Sequence, residues 1–386
     1  MNELQELLTR GVANIIPNRK LLEEKLASGE KLNIYLGIDP TAPNIHLGHA
    51  VSLRKLQRFA QLGHNVTFLV GDFTAKIGDT SDKETERPQL SDEEIKSNLE
   101  TYKKQAEKII DFEKVEIRFN SEWLSRLSFE KTIRLIGKFS LNDFISRELI
   151  KKRLNEGKSV GLLETIYPIM QGYDSMILNT DLQIGGTDQT FNMQAGRALL
   201  KNKKESFVMA TEFLSGTDGR KMSKTWGNAI WLIDKPEEIF GKVMSITDSV
   251  VIEYFTLATN VPFSNIEEFK KELETAPMQV KKKLAHIIVS ELYGNEKADK
   301  AKENFEKTVQ NKELPSDIKK IETGKDILVV DFIANNNLLE SRSEAKRLIE
   351  QGGVVFNEHK VDLFTKISEN GILKIGKRNF IEVNIK

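Results

Sequence analysis

Across 386 residues, 57 Lys and Arg balance 57 Asp and Glu, so the formal net charge is zero. A uniformly basic nucleic-acid coat is thereby excluded, though a local basic face is not. Cysteine is absent, which removes disulfides, thiolate zinc sites, iron–sulfur clusters and cysteine nucleophiles together.

With 39% hydrophobic and 30% charged residues the chain is of globular composition, and at ~150 residues per domain its length suggests two or three domains. No apolar run approaches about 18 residues, so no transmembrane helix or membrane partner is expected. Residues 1–20 lack the apolar core of a signal peptide, and the expected compartment is the cytoplasm.

In chain order, residues 33–38 read as a short buried strand. A turn with two prolines follows at 39–44, then a helix over about 45–62 with Ala50, Leu53, Leu56 and Ala60 on its buried side. Gly63 fits the position just past the helix end. A second strand spans 66–71. The Lys- and Glu-rich stretch 91–111 predicts a helix opened by a Ser91–Glu94 capping box. A third strand lies at 115–119. This β-α-β-α-β order implies a parallel sheet with helices on its faces.

Residues 123–160 read as largely helical, and 164–178 as a strong helix with an apolar stripe of Ile166, Ile169, Met170, Tyr173 and Ile177. A short strand at 182–185 and a Gly-punctuated loop at 215–227 follow. From 236 to about 310 the pattern is helical; 311–325 is a polar connector; the last sixty residues return to short strands, at 353–356 and 380–383. The expected fold is α/β: a parallel-sheet domain at 1–230, a helical domain at 231–320 and a small α+β module at 326–386.

Two constellations carry phosphate chemistry. In His46-Leu47-Gly48-His49 the imidazoles are three residues apart on the first turn of a helix that follows a strand. The positive dipole end points the same way, where an anion would be held. Gly48 leaves the backbone open to a flat base. A histidine pair could also hold metal, but no HExxH pattern accompanies it, and no metal site is expected. In Lys221-Met222-Ser223-Lys224-Thr225, two lysines on a glycine-rich loop can close on phosphate oxygens. A third constellation sits on the predicted 164–178 helix. Tyr167, Gln171 and Asp174, at i, i+4 and i+7, offer a phenol, an amide and a carboxylate on one face.

The histidine pair and the lysine loop, about 175 residues apart, together resemble the class I aminoacyl-tRNA synthetases, whose catalytic domain is of Rossmann type. The longer text resembles bacterial tyrosyl-tRNA synthetases, in the variant with a His-Leu-Gly-His signature: Ile34-Tyr-Leu-Gly-Ile-Asp-Pro-Thr-Ala42, Ile77-Gly-Asp79, Tyr167-Pro-x-x-Gln-x-x-Asp174 and Gln183-Ile-Gly-Gly-Thr-Asp-Gln189. The resemblance implies tyrosine–tRNA ligation with L-tyrosine, ATP accompanied by Mg²⁺, and tRNA(Tyr) as partners. It implies that Tyr35 and Asp174 bond the substrate hydroxyl, and that Tyr167, Gln171, Asp79 and Gln189 surround its ammonium and carboxylate. Asp39, Gly48, Gly186 and Asp188 would hold the adenosine, and Met222 and Lys224 would also contact ATP. Thr41, His46, His49, Lys221 and Lys224 would meet its phosphates. Lys76 and Thr80, beside Asp79, depart from the family pattern and receive no role. Tryptophan–tRNA ligation and a non-catalytic RNA-binding paralogue stay open as alternatives.

At the C-terminus, Ser341-Arg-Ser-Glu344 reads as a capping box opening a helix with Arg342, Lys346 and Arg347. This resembles the S4-type RNA-binding module and implies phosphate contacts by those three residues. Residues 326–386 carry nine acidic and nine basic side chains, so binding there would rest on local arrangement. The resemblance also implies a homodimer, for which the apolar stretch 129–154 could supply the interface. The helical 231–320 region would serve anticodon binding.

Overall fold

The computed structural model describes residues 2–79, 90–307, 318–339, 341–376 and 379–386. The chain divides into two compact units, Met1–Ala298 and Asp299–Lys386. The first is built on a six-stranded sheet of β1 (Val12–Ile16), β2 (Asn33–Ile38), β3 (Asn65–Val70), β4 (Val115–Phe119), β5 (Leu182–Gly186) and β6 (Phe207–Thr211). Their spatial order is β1-β6-β5-β2-β3-β4. β2 through β6 pair in parallel, and β1 pairs antiparallel with β6. From β2 the chain winds outward through β3 to β4, then returns to β5 on the other side of β2. The carboxyl ends of β2 and β5 therefore flank the point where strand order reverses, the place where a parallel sheet opens a crevice.

The strands expected at 33–38, 66–71 and 115–119 are β2, β3 and β4, with β3 one residue earlier than expected. β1 and β6 were not anticipated. β6 is buried at all five positions, so it shows no alternation to mark it as a strand.

The helix after β2 runs Leu47–Gln61 and starts two residues later than its pattern suggests, because His46 takes an extended N-cap conformation at φ −106° and ψ 167°. Its C-terminal Gly63 has φ +85°, the left-handed geometry that glycine tolerates past a helix end. Ala50, Leu53, Leu56 and Ala60 are all buried. The helix Asp92–Ala106 follows a complete capping box. Ser91 Oγ accepts from the Glu94 N–H at 3.2 Å, and Glu94 Oε2 accepts from the Ser91 N–H at 2.8 Å.

The stretch expected to be largely helical breaks into four short helices, Ser121–Leu124, Phe129–Ile136, Leu141–Ile145 and Glu148–Asn155. A buried fork joins the last of these to the next helix, Leu162–Ile177: Arg153 donates to both carboxylate oxygens of Glu164 at 2.7 and 3.0 Å. Within Leu162–Ile177 the expected stripe buries Ile169, Met170 and Tyr173, but Ile177 is exposed because the helix ends there. This helix packs closely on Thr190–Leu200. A Cβ at Gly172 would lie 3.1 Å from the Ala195 carbonyl carbon, so a larger residue would press the two helices apart by a few tenths of an ångström. Helices Pro236–Met244, Val251–Ala258, Phe263–Leu273 and Pro277–Tyr293 complete the unit. Among the described residues, no helix is long and apolar enough to cross a membrane.

The second unit contains β7 (Lys319–Thr323), β8 (Ile327–Leu328), β9 (Val354–Phe356), β10 (His359–Lys360), β11 (Lys366–Ile367), β12 (Gly371–Ile375) and β13 (Asn379–Ile385). Five strands form one sheet in the order β10-β9-β12-β13-β7, while β8 pairs with β11. Helices Val329–Asn335 and Arg342–Glu350 bury Phe332, Ile333, Ala345 and Ile349 in its core. β7 lies inside the stretch expected to be a connector. It pairs in parallel with β13, some sixty residues later in sequence, so no local signal marks it; residues 311–317 of that stretch, like 308–310 and Thr80, lie outside the described residues.

Candidate active site

A cavity of about 510 Å³ opens at the carboxyl ends of β2 and β5. All sixteen residues to which the resemblance assigned tyrosine or ATP contacts line it, from Tyr35 and Asp39 through His46, Gly48 and His49 to Lys221 and Lys224. The strand reversal explains the convergence. β2 delivers Tyr35 and Asp39, the next helix delivers its first turn, and β5 delivers Gly186.

At the closed end, Asp174 is buried, with the Trp123 indole donating to Oδ1 at 2.7 Å and the Asn120 amide donating to Oδ2 at 3.2 Å. Burial pushes the Asp174 carboxyl up to about 8, against the opposing pull of those two donors. Tyr35 is also buried. Its hydroxyl donates to Gln183 Oε1 at 3.0 Å and lies 2.9 Å from Ser175 Oγ. Burial, with the neighbouring Asp174 charge, raises the Tyr35 phenol far above its ordinary range.

Midway, Asp39 accepts from the Tyr167 hydroxyl at 2.9 Å and from Thr74 Oγ1 at 2.7 Å. A Cβ at Gly71 would fall 1.9 Å from Asp39 Oδ1, so this carboxylate occupies space that only glycine concedes. Asp79 accepts from Gln189 Nε2 at 2.6 Å and Asn192 Nδ2 at 3.3 Å. Gln171 lines the cavity between these groups.

At the open end the imidazoles of His46 and His49 stack with centroids 3.8 Å apart. The His46 N–H faces His49 Nδ1 at 3.3 Å, which makes that nitrogen an acceptor. His46 Nδ1 is buried and has no hydrogen-bond partner among the described residues. Burial, reinforced by the Lys224 and Lys221 charges, drives His46 down to about 3; His49 is lowered well below the usual imidazole range by burial and by His46. Both rings are therefore neutral at neutral pH. The helix start is less open than the sequence suggests, because the Leu47 N–H donates to Ile230 O at 2.9 Å. At Gly48 a Cβ would meet His46 Nδ1 at 2.9 Å.

The lysine loop lies over this end. Lys224 Nζ donates to Thr41 Oγ1 at 3.1 Å, and Lys221 Nζ sits 3.5 Å from Asp188 Oδ2 and 3.6 Å above the Phe213 ring centroid. Asn228 organises the loop from beneath. Its amide oxygen accepts from Ser223 N at 2.9 Å, and its amide nitrogen donates to Asp218 at 2.8 Å and Lys221 O at 3.1 Å. Met222 is buried under the loop. Ordered donors on one side and mobile-length lysines on the other make a seat for a polyphosphate, with a buried carboxylate at the far end for a hydroxyl.

Several residues that shape the site were not singled out from sequence: Trp123 and Asn120 around Asp174, Ser175 and Gln183 around Tyr35, and Asn228 under the loop. Ser175 adjoins Asp174, and Gln183 opens the quoted Gln183–Gln189 stretch, so those two carried a signal. Trp123 and Asn120 come from the segment after β4 and carried none. Arg342, Lys346 and Arg347 lie in the second unit. Arg342 Nε donates to Asp331 Oδ1 at 2.6 Å, while Lys346 and Arg347 are exposed. Ser341 Oγ accepts from the Glu344 N–H at 3.1 Å, the serine half of the expected capping box.

A family model described as "tRNA synthetases class I (W and Y)" matches residues 27–310. The chain belongs to this family of class I tRNA synthetases, and its strand reversal, histidine pair and lysine loop fit that membership. Within the family it falls among the tyrosine–tRNA ligases. It is 42% identical to the tyrosine–tRNA ligase of Dehalococcoides mccartyi (strain ATCC BAA-2266 / KCTC 15142 / 195), over 98% of both chains. It is 40% identical to that of Thermotoga maritima, over 99% of this chain and 97% of the other. A C-terminally truncated mitochondrial tyrosyl-tRNA synthetase of Coccidioides posadasii matches in structure with a TM-score of 0.64 and 25% identity, over 78% of this chain and 90% of that one.

Proposed function

We infer that the chain is a tyrosine–tRNA ligase that works in two steps at the cavity described above. A carboxylate oxygen of L-tyrosine attacks the α-phosphorus of ATP, and pyrophosphate leaves. A hydroxyl of the 3′-terminal adenosine of tRNA(Tyr) then attacks the carbonyl of tyrosyl-adenylate, and AMP leaves. The first nucleophile is already a carboxylate, so no general base is needed; the protein contributes positioning and charge. Tyrosine enters with its hydroxyl toward Asp174 and Tyr35, and with its ammonium and carboxylate near Tyr167, Gln171, Asp79 and Gln189. Asp39, Gly48, Gly186, Asp188 and Met222 take the nucleoside. Thr41, the neutral His46 and His49, and Lys221 and Lys224 take the phosphates. Mg²⁺ arrives as part of the ATP substrate. Among the described residues no three acidic or imidazole side chains gather to hold a metal, and ATP's own oxygens with water suit this hard ion.

The observation that carries this reading is the buried Asp174 carboxylate at one end of a cavity whose other end holds the histidine pair and both lysines. Tyrosine-dependent ATP–pyrophosphate exchange without tRNA tests it, with tryptophan in a parallel arm. Exchange with tryptophan in place of tyrosine would move the reading to the sister enzyme, and exchange with neither would favour a non-catalytic RNA-binding protein.

The same reading extends to the rest of the chain. Residues 1–230 carry the chemistry, residues 231–320 meet the anticodon, and 326–386 act as an S4-type RNA-binding module through Arg342, Lys346 and Arg347. The working form is a cytoplasmic homodimer. Phe129, Ile133, Leu141, Leu154 and Leu162 are all largely exposed, an apolar grouping that a second copy would cover.

A further inference from the structure

On the side of the Leu47–Gln61 helix away from the histidine pair, the first unit holds a second, smaller cavity of about 50 Å³. By the volume that one buried water occupies, it has room for about four waters, the size of one tetrahedral oxyanion. Four basic residues line it, Arg10, Arg54, Lys55 and Arg58, with Glu6 as the acidic one.

Their commitments differ. Arg10 is fully used: it donates to the carbonyls of Phe255, Thr256, Thr259 and Val261 and to Glu6 Oε1, all between 2.6 and 3.0 Å. It thereby caps the end of the Val251–Ala258 helix. Arg54 is only 9% exposed. Its Nη1 pairs with Glu291 Oε2 at 2.6 Å, yet its Nε and Nη2 are buried with no hydrogen-bond partner among the described residues. Lys55, also buried, gives one proton to the Leu7 carbonyl at 2.5 Å. Of the acids that line the cavity or pair with its basic residues, each is engaged, while the Glu212 charge also acts on Lys55. Glu6 serves Arg10, Glu291 serves Arg54 and the Asn260 amides, and Glu3 lies 3.7 Å from Arg58.

Two orphaned donors on one buried guanidinium are costly, because each keeps the desolvation penalty without a compensating bond. Side-by-side N–H groups of a guanidinium match two oxygens of a tetrahedral anion. The positive excess is felt by its neighbour: burial, with Arg10 close by, pulls the Lys55 ammonium down to about 7. A bound anion would offset both.

We propose that this cavity is a phosphate-binding site, in which the Arg54 guanidinium turns its buried Nε and Nη2 toward the cavity to grip one oxyanion with help from Lys55 and Arg58, tying the N-terminal helix Glu3–Leu7 and the Val251–Ala258 helix to the back of the helix that carries His46 and His49. The site is separate from the nucleotide cavity and does not depend on the reading of that cavity. Two sources share this chemistry, a free phosphate ion and a phosphate of bound RNA.

The test is thermal unfolding of the full chain in inorganic phosphate against chloride at constant ionic strength. Lys221→Ala and Lys224→Ala are both present, to remove phosphate seats in the nucleotide cavity. Phosphate at about a hundredfold excess over its Kd should raise Tm by about 2–5 °C. Adding Arg54→Lys, which keeps the charge opposite Glu291 but loses the paired donors, should abolish the rise. Arg58→Gln, on a more exposed residue, should weaken phosphate binding several-fold and leaves the fold untouched should Arg54→Lys prove unstable. Filter binding of tRNA separates the sources: Arg54→Lys leaves tRNA affinity unchanged for a free ion and lowers it for an RNA phosphate. No phosphate-dependent rise, or a rise that survives both substitutions, overturns the proposal.

Discussion

Trp123 donates its indole N–H to Asp174 Oδ1 across 2.7 Å, joining the short helix after β4 to the helix Leu162–Ile177 at the closed end of the active-site cavity. Asn120 adds a second donor from the same segment at 3.2 Å. The carboxylate proposed to read a substrate hydroxyl is thus held by two residues distant from it in sequence.

Trp123→Phe keeps most of the packing and removes that donor. A hydrogen bond to the ionised carboxylate is worth about 1.5–3 kcal/mol, so the effect is read above about pH 8, where Asp174 is charged. The variant should therefore lose about tenfold or more in kcat/KM for tyrosine in the exchange reaction, with a smaller loss for phenylalanine. Equal losses for both amino acids would mean that Trp123 acts through packing alone.

Lys224→Ala should slow adenylate formation far more than it weakens tyrosine binding. Lys224 Nζ donates to Thr41 Oγ1 at 3.1 Å, and in the proposed reaction its charge meets the negative charge that builds on departing pyrophosphate. Interactions made only in the transition state appear in the rate constant. Single-turnover adenylate formation and tyrosine titration separate the two effects; reduced affinity with an unchanged rate contradicts the role.

The histidine pair gives a pH prediction. Both imidazoles are lowered, His46 to about 3, chiefly by burial. A base whose folded value is depressed contributes stability that is intact above its unfolded value near 6.5 and is lost as pH falls toward the folded one. Wild-type stability should therefore decline between about pH 6.5 and 4, and His46→Asn should flatten part of that decline. Exchange kcat/KM should show no ionisation near 6.5 owed to this pair. An inflection there that vanishes in His46→Asn would require a charged imidazole.

Much of the site was legible because it is written in local text. The first turn after β2, the i, i+4, i+7 face of Leu162–Ile177 and the loop holding Lys221 and Lys224 each place their groups by short-range geometry, and the parallel sheet gathers them. What stayed hidden depends on long-range packing. β6 is buried on both faces and lacks alternation, Trp123 meets Asp174 only through tertiary contact, and β7 finds its partner some sixty residues away. Three of the four basic residues of the smaller cavity share the Leu47–Gln61 helix, but Arg10 comes from the N-terminal segment and the rest of the lining from the end of the Val251–Ala258 helix, and no spacing rule brings these together.

Because β7 pairs with β13, a truncation that starts at Asp326 strands Lys319–Thr323 as an unpaired edge. Removing residues 318–386 should leave pyrophosphate exchange largely intact and impair tRNA charging. Removing 326–386 should give the same activities with greater aggregation, measurable by light scattering. Collapse of exchange in a folded 1–317 protein would mean that the second unit supports the chemistry directly.

The last prediction concerns how Asp174 and Tyr35 divide the reading of the substrate hydroxyl. Tyr35 donates its own proton to Gln183 Oε1 at 3.0 Å. Tyr35→Phe removes one neutral hydrogen bond, about 0.5–1.5 kcal/mol, so preference for tyrosine over phenylalanine should fall about tenfold or less. Asp174→Asn removes an acceptor that is charged once ionised and, above about pH 8, should cost more, about 10–150-fold at 1.5–3 kcal/mol. The two also differ in pH dependence. Burial holds the Asp174 carboxyl near 8, so it is mostly neutral at pH 7, and only its ionised form is a pure acceptor. Capture of tyrosine, read as kcat/KM, should rise as pH increases toward and through about 8. In Asp174→Asn that rise should disappear, and in Tyr35→Phe it should persist. The stability of the empty protein should move the other way. A carboxyl with a raised folded value contributes stability below its unfolded value near 3.9, and loses it as pH climbs through the folded one. Opposite slopes for tyrosine capture and for unfolding, both erased by Asp174→Asn, would identify one ionisation behind both. A kcat/KM profile that Asp174→Asn leaves unchanged would remove Asp174 from hydroxyl recognition.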